Sequence, residues 1–113
     1  MFNSRRISTI YNVVGAIKGF IEPDRYVIIG SHRDSWTFGS IDPSSAQSVL
    51  LEVSRSLMEL KRKRQWQPMR TILFLSFSGE EYGLVGSTEW VEVRHRNVLF
   101  CNSSSPIYIV YFL

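Results

Sequence analysis

Four side chains able to hold a metal ion or move a proton gather at the borders of two apolar runs. His32 follows Tyr26–Gly30, Glu80 and Glu81 follow Thr71–Phe77, and Asp42 opens the segment between the runs. Zinc takes His nitrogen and Asp or Glu oxygen as ligands. With one carboxylate shared between two ions, such a set suits a hydrolytic centre in which metals activate water and polarise a carbonyl. Each residue also has a plainer reading. Asp42 before Pro43 reads locally as a helix cap followed by a first-turn proline, and the local pattern favours the cap. Glu80 and Glu81 could complement the positive end of a helix. His32 could be an ordinary loop histidine.

The elements that would position these groups are legible in the pattern. Tyr26–Gly30 and Thr71–Phe77 are continuous apolar runs, the pattern of strands buried on both faces. Between them Ala46, Val49, Leu50, Val53, Leu57 and Leu60 form one stripe at the helical period. Strand, helix and strand predict a βαβ unit with parallel strands. In open α/β sheets, sites form beyond the carboxyl ends of the strands, which is where His32, Asp42, Glu80 and Glu81 should meet. The Asp42–Pro43 peptide is expected to be cis. An earlier strand is expected over Ile10–Ile17, a turn at Glu22-Pro23-Asp24, and a short helix over Leu84–Arg94. Asn97–Cys101 reads as a third strand and Pro106–Leu113 as an apolar tail with nothing to pack on. On that reading Thr71–Phe77 is left partly uncovered.

Composition excludes some classes. The chain has 113 residues, enough for one domain, and its 44% hydrophobic and 20% charged residues are those of a globular protein. The net charge of +3 rests on the run Lys61-Arg62-Lys63-Arg64, without which acids would outnumber cations. That run sits where cations complement a helix carboxyl end, so nucleic acid is not an expected partner. The single cysteine, Cys101, excludes an internal disulfide and a four-cysteine zinc site. No apolar stretch approaches a membrane span, and no signal peptide is legible at the start.

Seven segments then carry a family pattern in order: Tyr11–Gly15, Glu22–Ile28, His32–Trp36, Ile41–Pro43, Arg70–Phe74, Glu80-Glu81 and Gly86–Trp90. The chain resembles the co-catalytic dizinc peptidases of the glutamate carboxypeptidase II (N-acetylated-alpha-linked acidic dipeptidase) type, relatives of the transferrin receptor ectodomain. The resemblance covers Ile10 to Glu92, the opening part of that family's catalytic domain. It implies an α/β fold, a three-layer open sheet with a parallel βαβ core of the zinc aminopeptidase kind, truncated here. Residues 1–92 would be the first part of the catalytic domain and 93–113 a divergent tail.

By this resemblance His32 is a ligand of one zinc and Glu81 of the other, with Asp42 bridging both. Glu80 is the general base and acid, and Asp34 holds the His32 imidazole. Glu89 and Glu92 resemble two acidic ligands of a calcium ion, although their spacing by itself reads as a solvated helix face. The implied substrate is a peptide with a C-terminal acidic residue. Full-length relatives are homodimeric type II membrane ectodomains, and no membrane anchor is legible in this chain.

Two departures stand out. Ala46 replaces the glycine usual in the family's Ser-Gly pair. The family's later Asp and His ligands also lack clear counterparts. Ser104 stands near the position of the first, and His95 reads as a surface residue. The chain alone is therefore expected to bind zinc weakly and to lack peptidase activity. A second reading, a non-catalytic fragment or receptor-like binding module of the same fold, stands beside the enzyme.

Overall fold

The computed structural model describes residues 7–98 and 107–111, with side chains described from 7 to 93. The elements run β1 (Val13–Ile17), β2 (Glu22–His32), α1 (Ser44–Arg64), β3 (Arg70–Phe77), α2 (Val85–Val98) and β4 (Ile107–Tyr111). The strands form one mixed sheet in the order β1-β3-β2-β4. β2 and β3 pair in parallel from Tyr26↔Thr71 to His32↔Phe77, and α1 is the connection between them. β1 runs antiparallel to β3, and β4 runs parallel to β2.

Alternation along the strands divides the core into two faces. On one, Ile17 and Phe74 pack with Leu50 of α1, joined by Ile29, Val53, Leu57 and Ile72. On the other, Ile28, Leu73, Leu75 and Phe77 form a cluster against which Tyr26 and Trp90 of α2 pack. Trp90 meets Phe77 edge-on, ring centroids 6.3 Å apart. The α1 stripe is narrower than its periodicity suggests. Ala46 and Leu50 are buried, whereas Val49 and Leu60 remain 46% and 39% exposed. The helix also runs past Leu60, so Lys61–Arg64 form its last turn as expected.

Several expectations change. β3 is an interior strand rather than a partly uncovered one, because β1 folds back along its free edge; Leu75 is fully buried. Glu22-Pro23-Asp24 belongs to β2, where a register irregularity between Glu22 and Tyr26 accommodates the proline that a regular ladder would reject. Asn97 and Val98 close α2 rather than opening a strand, and residues 99–101 of that expected strand lie outside the described residues. The apolar tail does find a partner: Ile107–Tyr111 pairs with Tyr26–Gly30. Ser104 lies outside the described residues. No helix among the described residues is long and apolar enough to cross a membrane.

Candidate metal centre

The site is built at the carboxyl end of the β2–β3 pair. His32 is the last residue of β2, opposite Phe77 at the end of β3, and is 8% exposed. Beyond β3 the chain turns at Gly79, whose φ of +75° favours glycine, and delivers Glu80 and Glu81. Asp34 locks this turn to the β2 end: its carboxylate accepts the backbone N–H of Glu80 at 3.0 Å and of Glu81 at 3.1 Å. Asp42 arrives from the loop before α1. That loop turns at Gly39, whose carbonyl accepts the Ser44 N–H, and the Asp42–Pro43 bond is cis.

The local reading of Asp42 does not survive. Pro43, not Asp42, occupies the cap position of α1, and no side chain caps the helix. The Asp42 carboxylate turns back to β2 instead, placing Oδ1 2.8 Å from His32 Nε2. Glu80 and Glu81 precede α2 and lie outside its first turn, which holds no acid. The backbone path removes the cap reading of Asp42, whereas Glu80 and Glu81 do stand ahead of a helix start.

The two nitrogens of His32 both face oxygen. Nδ1 lies 2.9 Å from the backbone carbonyl of Asp34, with Asp34 Oδ1 at 3.7 Å and Glu80 Oε2 at 3.8 Å. A carbonyl can only accept, so Nδ1 carries the proton. Nε2 then offers its lone pair to the Asp42 carboxylate, an arrangement that needs a cation or a second proton between them. The ring is thus held at Nδ1 by the protein, with Nε2 turned to the Asp42 carboxylate. Burial of Asp34 tends to raise its pKa, but the N–H groups of Glu80, Glu81 and its own backbone, and then His32, outweigh this and hold it below the usual carboxylate range.

His32, Asp42 and Glu81 each offer a ligand atom, and these atoms lie within 4.8 Å of one another. The donor set, one imidazole and two carboxylates, fits zinc. Glu89 and Glu92 are exposed on α2 and belong to no such group of three among the described residues.

Sequence reasoning missed the groups that brace the site. Asn12 donates to the Gly86 carbonyl and accepts the Ser78 N–H, tying the β3–α2 turn to the segment before β1. The Arg33 guanidinium donates to Ser76 and to the Tyr11 carbonyl. Gln47, in the first turns of α1, donates to the carbonyls of Ser31 and His32. Only Asn12, a polar residue inside an apolar run, carried a signal of this kind.

A mixed α/β sheet with His and carboxylate donors converging beyond its strands forms a group that could hold a metal ion. The chain belongs to peptidase family M28, whose model matches residues 12–110. It is 57% identical over 86 residues to the "Probable glutamate carboxypeptidase LAMP1" of Arabidopsis thaliana, covering 76% of this chain and 12% of that protein. It is 47% identical over 111 residues to the "Aminopeptidase NAALADL1" of Mus musculus, covering 94% of this chain and 15% of that one. It is also 47% identical over 98 residues to the "Glutamate carboxypeptidase 2 homolog" of Caenorhabditis briggsae, covering 82% and 13%. The chain therefore spans 12–15% of the length of these relatives.

Proposed function

We propose that the chain carries part of the active site of a zinc-dependent peptidase. The observation that carries this reading is the convergence of His32, Asp42 and Glu81 from two strand ends and a loop onto one point. His32 and Asp42 would hold one ion and Asp42 and Glu81 a second. Zinc, when bound, supplies Lewis acidity toward a carbonyl oxygen and toward water.

The residues of this chain supply the rest. Glu80, whose Oε2 lies 3.8 Å from Nδ1 of His32, acts as the base that takes a proton from water at its carboxylate and returns it to the leaving amine. Asp34 orients Glu80 and Glu81 through their backbone N–H groups. Residues 1–92 form the first part of a catalytic domain with a three-layer open sheet, supported by α1 on one face and Trp90 on the other. The substrate is a peptide with a C-terminal acidic residue, a reading supported by the relatives named as glutamate carboxypeptidases. Hydrolysis of such a peptide by a longer form containing these residues, abolished in Glu80→Gln with zinc retained, tests the assignment. Release of N-terminal residues instead would move the substrate reading to the aminopeptidase side.

A further inference from the structure

One residue outside the ligand set holds both halves of the His32–Asp42 pair. The backbone N–H of Gln47 donates to the carbonyl of Pro43, the residue joined directly to Asp42, at 2.9 Å. Its side-chain Nε2 donates to the carbonyls of His32 at 2.7 Å and Ser31 at 2.9 Å. Gln47 Oε1 accepts the Ser76 hydroxyl at 3.2 Å, and Ser76 Oγ in turn accepts from Arg33 at 3.0 Å. The amide is therefore fixed in one orientation, NH2 toward β2 and oxygen toward β3.

The position matters because of the two carbonyls it reaches, those of Ser31 and His32 at the end of β2. Both are buried, at 1% and 8% exposure, and buried carbonyls need donors. Gln47 supplies donors from α1, which links the strand that ends at His32 to the helix that follows Asp42-Pro43.

We propose that Gln47 is a positioning residue for the metal centre, setting the His32–Asp42 spacing without touching the ion. The proposal rests on the zinc reading above for its effect on affinity, and on geometry alone for its effect on the pair. Removing a group that orients a ligand typically costs 10–100-fold in metal affinity.

The experiment compares the 113-residue chain with Gln47→Leu, which keeps the bulk and removes the amide, and with Ser54→Ala. Ser54 is also on α1, and its hydroxyl donates to the Leu51 carbonyl of the same helix. Two quantities are read: zinc affinity by competition with a chromophoric chelator, and the nuclear Overhauser contact between the His32 ring and the Asp42 methylene in metal-free protein. Gln47→Leu is expected to lose the contact and 10–100-fold in zinc affinity, with Ser54→Ala unchanged in both. Should Gln47→Leu not fold, Gln47→Asn, one methylene shorter with its amide kept, is expected to show the same losses. A folded Gln47 variant with contact and affinity intact, or an equal loss in Ser54→Ala, overturns the proposal. If the unaltered chain takes up no zinc, the zinc reading fails, and retention or loss of the His32–Asp42 contact still decides the role of Gln47.

Discussion

Asp42 Oδ1 sits 2.8 Å from Nε2 of His32, joining a carboxylate side chain that is 69% exposed to an imidazole that is 9% exposed. The exposed partner contributes little to the core and does not cap α1. Asp42→Ala is therefore expected to change stability by no more than about 0.5 kcal/mol, as for an ordinary surface substitution, while abolishing zinc uptake. A cap would instead lose about 1 kcal/mol. Urea denaturation beside a zinc titration separates the two.

Asp34 is the joint between the two ligand-bearing loops, and its loss should act on both stability and metal. Asp34→Ala leaves the Glu80 and Glu81 N–H groups without their acceptor, which should destabilise by about 1–3 kcal/mol if water does not replace it. Zinc affinity should fall about 10–100-fold.

The same carboxylate sets an acid limb in the stability profile. Its folded pKa lies below the unfolded value of about 3.9. The unfolded chain therefore binds the proton first as pH falls. The stabilisation is fully present above about pH 3.9 and disappears as pH drops through the lower folded value. Asp34→Asn should flatten that limb in thermal melts followed from pH 5 downward, and an unchanged limb would assign it to other acids.

Glu80 separates binding from chemistry. In a longer form that hydrolyses peptides, Glu80→Gln is expected to keep its zinc content and lose about 100- to 10,000-fold in turnover, the usual contribution of a general acid–base group. Loss of zinc along with turnover would make Glu80 a ligand instead.

Gly86 has no room for a side chain. A Cβ there would lie 2.2 Å from the Ser78 carbonyl oxygen and 2.6 Å from Asn12 Oδ1, a backbone and a buttressing contact. Gly86→Ala should displace the start of α2, break the Asn12 bonds and lower the melting temperature by several degrees or more. An unshifted melt would show that the turn can open.

The parts legible in the sequence are those written in local periodicity. The Tyr26–Gly30 and Thr71–Phe77 runs and the stripe through Leu50 name β2, β3 and α1, and strand-end logic expects His32, Asp42, Glu80 and Glu81 to meet; of these His32, Asp42 and Glu81 form the close group. What failed depended on contacts distant in sequence. Asp42 resembled a cap because only the path of the loop through Gly39 and Pro43 shows it turning away from α1. The Ile107–Tyr111 tail looked unpartnered because its partner, β2, lies about eighty residues earlier. Gln47 was invisible for a third reason: nothing in a helical stripe marks a polar neighbour whose amide reaches two strand-end carbonyls.

The central claim is that His32, Asp42 and Glu81 form one metal centre. The direct measurement is a zinc titration of the 113-residue chain followed by the ring-nitrogen signals of its two histidines, repeated in Glu81→Ala. The account predicts weak, saturable binding that shifts Nε2 of His32, leaves Nδ1 protonated, and is lost on dialysis and further weakened in Glu81→Ala. A response confined to His95, or His32 shifts identical with and without Glu81, would contradict it.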